Sequence, residues 1–244
     1  MQTIKHLFRL IHRTYSNVRL TTPVAIILAA VIIGISHVTY GALLSGTSAT
    51  PATIFKGKAI DASDLVTGNA ESKVLAVEYS DTECPYCAQL HPTIKKLKEE
   101  YASKVGFVYR YFPLTQIHPN AFGEAQAIHC VGKIMGAEKR AAYINDIFTY
   151  KINKQNMVLP QGGKEDLAAN LGVDKVKFKA CLASEESGDV VTASTQEGIA
   201  AGVEGTPATF ILVSTRKGYE VVSFIGGARP YEYIKAAIEE ALAR

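Results

Sequence analysis

Cys84 and Cys87 stand two residues apart in "YSDTECPYCAQLHP", in a chain with four cysteines. A C-x-x-C pair can hold a metal, staple a turn, or exchange electrons with other thiols. The local sequence favours the last. Pro85 fits the first turn of a helix, where its missing N–H costs nothing. Cys84 therefore falls at that helix's N-terminus, where unpaired N–H groups and the helix dipole favour a thiolate and lower the ordinary thiol value of ~8.5. Cys87, one turn further in, can attack Cys84 to close a disulfide. A four-cysteine zinc site presents two such pairs, whereas Cys130 and Cys181 stand alone, so no metal is expected. Zinc and a purely structural staple remain as minor readings beside redox chemistry.

The elements that must position this pair are read from periodicity. Residues 73–79 form an apolar run that reads as a buried strand, with Glu78 its odd member. Residues 85–101 carry apolar side chains at 86, 90, 94, 97 and 101, a helical period, and Pro92 inside it predicts a kink. A second strand spans 105–112 and ends at Pro113. From 119 to about 187 the pattern is helical: Ala121, Phe122, Ala125, Ile128 and Val131 share one spacing and Ala142, Tyr143, Ile147 and Phe148 another. Leu167 and Leu171, then Val176, Phe178 and Leu182, suggest two more helices, and a short one follows over 189–201. Strands return at 209–213 and 219–224, joined by a polar turn through Gly218, and 230–242 closes the chain as a helix with Ile234, Ala237, Ile238 and Leu242 inward. Without the helical block a βαβ unit followed by a ββα unit remains, an α/β sandwich with a mixed sheet.

The N-terminal end is of another kind. Residues 1–22 carry Lys5, Arg9, Arg13 and Arg19 and no acid, and 23–44 contain no Lys, Arg, Asp or Glu. That span meets the ~20 residues a membrane-crossing helix needs. A cleaved signal peptide, with Thr47-Ser48-Ala49 as its processing site, is the competing reading. The uncleaved anchor is favoured, because the basic start is long and that site lies well past the most apolar stretch. In either case the basic end stays cytoplasmic and the remainder is exported. Residues 45–52, small and polar with one Pro, read as a linker. The net charge of +3 belongs to the membrane end, since the other Lys and Arg nearly balance the 23 acids. With no basic stripe, Gly-rich phosphate loop or repeat, nothing argues for nucleotide or nucleic acid.

The strand-to-helix C-x-x-C, Pro92, and Gly205-Thr206-Pro207 before the third strand resemble the thioredoxin fold. The helical insertion, with "RYFPLTQIHPNA", "FKACLAS" and "GVEGTPATFIL", is similar to the exported DsbA-like thiol:disulfide oxidoreductases over residues from about 60 to 244. The resemblance implies a thioredoxin-like domain over 53–117 and 203–244 with an inserted helical domain over 118–202. It implies Cys84 as the nucleophilic cysteine and Cys87 as its resolving partner. Pro207 matches a cis-proline whose loop faces the disulfide, and Thr206 would offer backbone hydrogen bonds to a substrate strand. Pro85 and Tyr86, between the cysteines, join them as substrate-contacting residues. Glu78 matches a buried acid able to relay a proton to or from Cys87; its alternative is a strand edge in water. Cys130 and Cys181 most simply form a second disulfide in an exported protein, and a subset of the family carries a pair there. Closing a loop of ~50 residues would contribute ~4 kcal/mol in the chain-entropy account; two buried free thiols are the alternative. His91 and His118 are further candidates for tuning the Cys84 thiolate.

A low-pKa thiolate leaves readily and makes the disulfide a strong oxidant. The sequence therefore reads as a donor of the Cys84–Cys87 disulfide to reduced exported proteins, needing no cofactor of its own. The resemblance implies reoxidation by a quinone-linked, DsbB-like membrane protein. The expected location is the bacterial inner membrane, single-pass, with the catalytic domain on the periplasmic side. The Pro85-Tyr86 dipeptide also suits isomerases and reductases of this fold, and Thr206 pulls mildly toward them. A different class stays open too, an anchored module that holds a peptide or metal without catalysis.

Overall fold

The computed structural model describes residues 53–61 and 64–244. The basic segment 1–22, the apolar span 23–44 and the linker 45–52 lie outside the described residues. No helix among the described residues is long and apolar enough to cross a membrane.

In chain order the elements are β1 (Thr53–Ile54), β2 (Leu65–Gly68), β3 (Val74–Ser80), α1 (Pro85–Tyr101), β4 (Gly106–Tyr111), α2 (Ala121–Met135), α3 (Ala137–Lys154), α4 (Gly163–Asn170), α5 (Lys175–Leu182), α6 (Glu185–Ala200), β5 (Ala208–Thr215), β6 (Gly218–Gly226) and α7 (Tyr231–Leu242). The strands make one mixed sheet in the order β1-β6-β5-β3-β4-β2. β3 runs parallel to β4 and antiparallel to β5, with Glu78 opposite Tyr109 on one side and Thr209 on the other. A strand flanked on both sides and covered on both faces reads as a near-continuous apolar run, and every residue of β3, Glu78 and Ser80 included, is buried. This central placement rules out the wet strand edge as a setting for Glu78.

Three apolar clusters hold these layers together. One packs α1 and α7 on a sheet face through Leu90, Ile94, Leu97, Ile234 and Ile238. A second covers the other face around Tyr79, Phe112 and Phe210. The third fills the helical insertion with Ile128, Tyr143, Ile147, Phe148 and Phe178, and both Cys84 and Cys87 belong to it.

Several local features differ from the periodicity. β1 and β2 were not anticipated: two and four residues are too short to show an alternation, and both are edge strands, added by pairing with β6 and β4. β2 ends at Gly68, whose φ of +79° a residue with a Cβ rarely adopts. α1 spans Pro85–Tyr101 with Pro92 inside it, as expected. α6 begins at Glu185, ahead of the expected 189. Leu242, read as inward, is 37% exposed, and Val176, one of the apolar positions that suggested α5, is 77% exposed. α5 instead buries Phe178, and Leu242 is the terminal residue of α7, where the packed face runs out.

Candidate active site

β3 delivers the chain through Ser80 into a loop, Asp81-Thr82-Glu83, and the loop into Cys84, the N-cap of α1 with extended backbone (φ −75°, ψ 121°). Both cysteines are free thiols and almost wholly covered. The Cys84 thiol donates to the Thr206 carbonyl at 3.3 Å, which brings the loop between α6 and β5 against the helix start, and the Thr206-Pro207 bond is cis. Pro85 is exposed, Tyr86 is 62% exposed at the rim, and beside Thr206-Pro207 lies an open cleft of about 310 Å³ bounded by Gly226 and the half-exposed Phe224.

The two thiols are electrostatically unequal. A hydrogen bond from Cys87 is the largest influence on Cys84 and, with its own helix-start amides and Thr206 acting in the same direction against burial, lowers its pKa to about 6. Burial raises Cys87 well above the ordinary thiol value, and the neighbouring Cys84 and Glu78 charges add to this. One thiolate per pair is thus favoured, and it resides on Cys84. The Asp81 N–H points at the Cys87 sulfur at 3.5 Å.

Glu78 is buried, and burial lifts its carboxyl pKa while Lys98, on α1, pulls it down. A cavity of about 10 Å³ is lined by Glu78, Lys98, Tyr109 and Thr209, close to what one water molecule requires, ~10–15 Å³. A carboxyl that is easily protonated, next to a thiol that is reluctant to ionise, can hold and pass a proton.

The two histidines are set differently: His91 is turned away from the thiols, and His118 meets the loop that precedes them. His91 stacks on Phe148 of α3 (4.7 Å between ring centroids), meets Asn145 Oδ1 at 3.3 Å, and is kept neutral by burial, which lowers its pKa to about 4. His118 Nδ1 lies 2.8 Å from Asp81 Oδ2. Cys130 and Cys181 form a disulfide (Sγ–Sγ 2.01 Å, Cα–Cα 5.7 Å) that ties α2 to α5.

Sequence reasoning overlooked the polar loop before Cys84. Asp81 accepts from the Glu83 and Leu114 N–H groups at 2.7 and 2.8 Å. Glu83 accepts from the Asn120 backbone and side chain at 2.7 and 2.8 Å. Lys151, fully buried on α3, donates to the Thr82 carbonyl at 3.0 Å and to Glu124 of α2 at 2.6 Å, and the Thr82 hydroxyl bonds Glu124 as well. Burial raises the Glu124 pKa and lowers that of Lys151, and each partner opposes the shift of the other. Three buried polar residues before the C-x-x-C, and a lysine four residues after Ile147 on an apolar helix face, were the available signals. Among the described residues no group of three or more His, Cys, Asp or Glu could hold a metal ion.

Comparison with known proteins places this geometry. Residues 60–239 match the thioredoxin family. The chain is 28% identical over 179 residues, 72% of its length and 63% of the relative's, to a Rickettsia typhi protein described provisionally as the protein-disulfide oxidoreductase RT0103. It is 32% identical over 151 residues to Na(+)/H(+) antiporter NhaA 3 of Salinispora tropica, a match that takes in 61% of this chain and 21% of that one. The chain thus spans about a fifth of the length of that antiporter and under two thirds of the Rickettsia relative. The crystal structure of Wolbachia pipientis α-DsbA1 superposes with a TM-score of 0.65 at 21% identity, covering 76% of this chain and 94% of that one, a likeness of fold.

Proposed function

The chain belongs to the thioredoxin family, and on that premise we propose that it is a thiol:disulfide oxidoreductase that donates its Cys84–Cys87 disulfide to reduced proteins outside the cytoplasm. The observation that carries this reading is the inequality of the two thiols, Cys84 held near 6 and Cys87 well above the ordinary value.

The steps balance as follows. In the oxidised enzyme a substrate thiolate attacks the Cys84 sulfur; the Cys84–Cys87 bond breaks, a substrate–Cys84 mixed disulfide forms, and Cys87 departs with the electron pair. Its high pKa calls for a proton, a role we assign to the buried carboxyl of Glu78, whose pKa burial raises. A second substrate thiolate then attacks the substrate sulfur of the mixed disulfide, a substrate disulfide forms, and Cys84 leaves as the stabilised thiolate. Two electrons have passed from substrate to enzyme. A low leaving-group pKa speeds this second step and favours the reduced enzyme. The Thr206 carbonyl, with the cleft beside Pro207 and the exposed Tyr86 and Phe224, offers an extended substrate segment backbone and apolar contacts.

A membrane anchor over 23–44, a periplasmic catalytic domain and reoxidation by a quinone-linked membrane partner complete the proposal, supported by the charge-free span and the basic segment before it. Isomerase or reductase chemistry would use the same residues. The test is direct: the full chain, oxidised, should convert a reduced, unfolded protein to its disulfide form, and Cys87→Ser should accumulate mixed disulfides through Cys84. Failure to oxidise such a substrate, coupled with reduction of insulin, would reverse the direction; neither activity, with Cys84→Ser still supporting the biological role, would leave a binding module. Glu78→Gln should slow the step that releases Cys87 without moving the titration of Cys84, and equal rates would remove Glu78 from the relay.

A further inference from the structure

Away from the redox thiols, a cleft of about 430 Å³ opens between β4, α2, the first turn of α3 and α6. That volume falls in the range of small-molecule sites, ~300–1,000 Å³. Its acids are already engaged. Asp64 takes two bonds from Arg110, at 3.0 and 3.1 Å, and Glu197 lies 3.8 Å from the same guanidinium. Arg110 is spent on these and on the Tyr79 hydroxyl and the Lys58 carbonyl, both at 3.0 Å. Lys133 pairs outward with Glu186.

Arg140 is different. Among the described residues its guanidinium has no carboxylate partner, and the one side-chain hydrogen bond it makes is a long contact from Nη1 to the Tyr111 hydroxyl, 3.5 Å. Its Nε is buried and unsatisfied, and so is Nε2 of His129, another residue of the cleft wall. A buried guanidinium N–H without an acceptor is costly. The cost is greater where Arg140 sits, because a cation in the first turn of α3 opposes that helix's dipole. The fold nevertheless makes room for it. A Cβ at Gly132 would come within 2.5 Å of Arg140 Cδ, so the bare backbone at 132 is what lets the arginine stem lie against α2. Tyr109, Val190 and Ala193 supply an apolar wall opposite.

We propose that this cleft binds a small organic anion, its carboxylate or phosphate on Arg140 and His129 and its apolar body against Tyr109, Val190 and Ala193. An oxyanion supplies the acceptors that Arg140 Nε and His129 lack, accepts the guanidinium fork in bidentate geometry, and gains from the N-terminus of α3. None of Cys84, Cys87, Tyr86 or Thr206 lines the cleft, and Tyr109 is the one residue it shares with the small cavity beside Glu78.

The test is calorimetric titration of the full chain with phenyl phosphate, with benzoate, and with benzyl alcohol as the uncharged counterpart. One saturable site for at least one of the anions and none for the alcohol is expected. Arg140→Gln should weaken anion binding by about tenfold or more, and Arg140→Lys, which keeps the charge and loses the fork, by about fivefold. Thiol exchange should be unchanged in both variants, which also reports that they fold. Should the glutamine variant not fold, the lysine variant carries the comparison. Equal anion affinity in wild type and the folded variants, equal binding of benzyl alcohol, or no saturable binding of either anion up to ~10 mM would overturn the proposal.

Discussion

The two cysteine pairs border the same apolar cluster and are treated by it in opposite ways. Cys130 and Cys181 join α2 to α5, their sulfurs bonded to each other. Cys84 and Cys87 are at least as well covered, yet Cys84 caps α1 and faces the Thr206 carbonyl, while Cys87 receives the Asp81 N–H. Burial alone raises a thiol's pKa and makes it inert; a helix N-terminus and N–H donors around one sulfur lower it and make it a leaving group. What separates a working disulfide from a structural one here is the polar frame, and that frame is held by Asp81, Thr82 and Glu83 through their bonds to the insertion.

The contrast can be broken most strongly at the cysteines themselves. Cys84→Ser should remove thiol exchange by a factor on the order of 10⁴ or more, as for other nucleophile deletions. The double variant Cys130→Ala/Cys181→Ala should retain exchange while losing about 2–4 kcal/mol of stability in urea unfolding. A large loss of activity in the double variant, measured where it is still folded, would erase the division between the pairs.

Next in size is the frame. Lys151→Met leaves Glu124 buried beside Thr82 without its partner and removes the bond to the Thr82 carbonyl, a change expected to cost about 3–5 kcal/mol. Replacing both, Lys151→Met with Glu124→Leu, should recover most of that stability, since a buried pair swapped for apolar side chains of similar size is often neutral. If the frame tunes the site, the double variant should still show a higher Cys84 pKa than wild type. An unaltered titration would reduce Lys151 and Glu124 to structural residues.

The smallest effect is in pH dependence. Because the Cys84 pKa is depressed in the fold, its contribution to the reduced protein is complete above the unfolded value, near 9, and is lost as pH falls through about 6. Cys87, raised above that range, stays protonated throughout. The stability of the reduced form relative to the oxidised form should therefore rise between about pH 5 and pH 8, as read from paired urea unfolding curves. A gap that stays constant across that interval would contradict the assignment of the thiolate to Cys84.

Much of this was legible in the residues. The order of strands and helices, the junction carrying Cys84 and the burial of Glu78 follow from long periodic segments and from Pro85 at a helix start. The edge strands β1 and β2 were not, because two to four residues show no period and exist only through their partners. The surroundings of His91 were not legible for a related reason. Sequence distance put His91 one turn from Cys87, but its ring is turned to Phe148 and Asn145, which lie on another helix. Glu124 and Lys151 had no reading from the sequence. Their pairing with Thr82 depends on how α2 and α3 pack on the loop, and no local pattern encodes that.

The central claim is that the thiol inequality makes the Cys84–Cys87 disulfide an oxidant. Equilibration of the full chain against defined ratios of reduced and oxidised glutathione, with the dithiol fraction read by alkylation and mass, measures this directly. A potential at the oxidising end of the fold's span, above about −180 mV, is the predicted result; a value near the −270 mV of a reductant such as thioredoxin would contradict it.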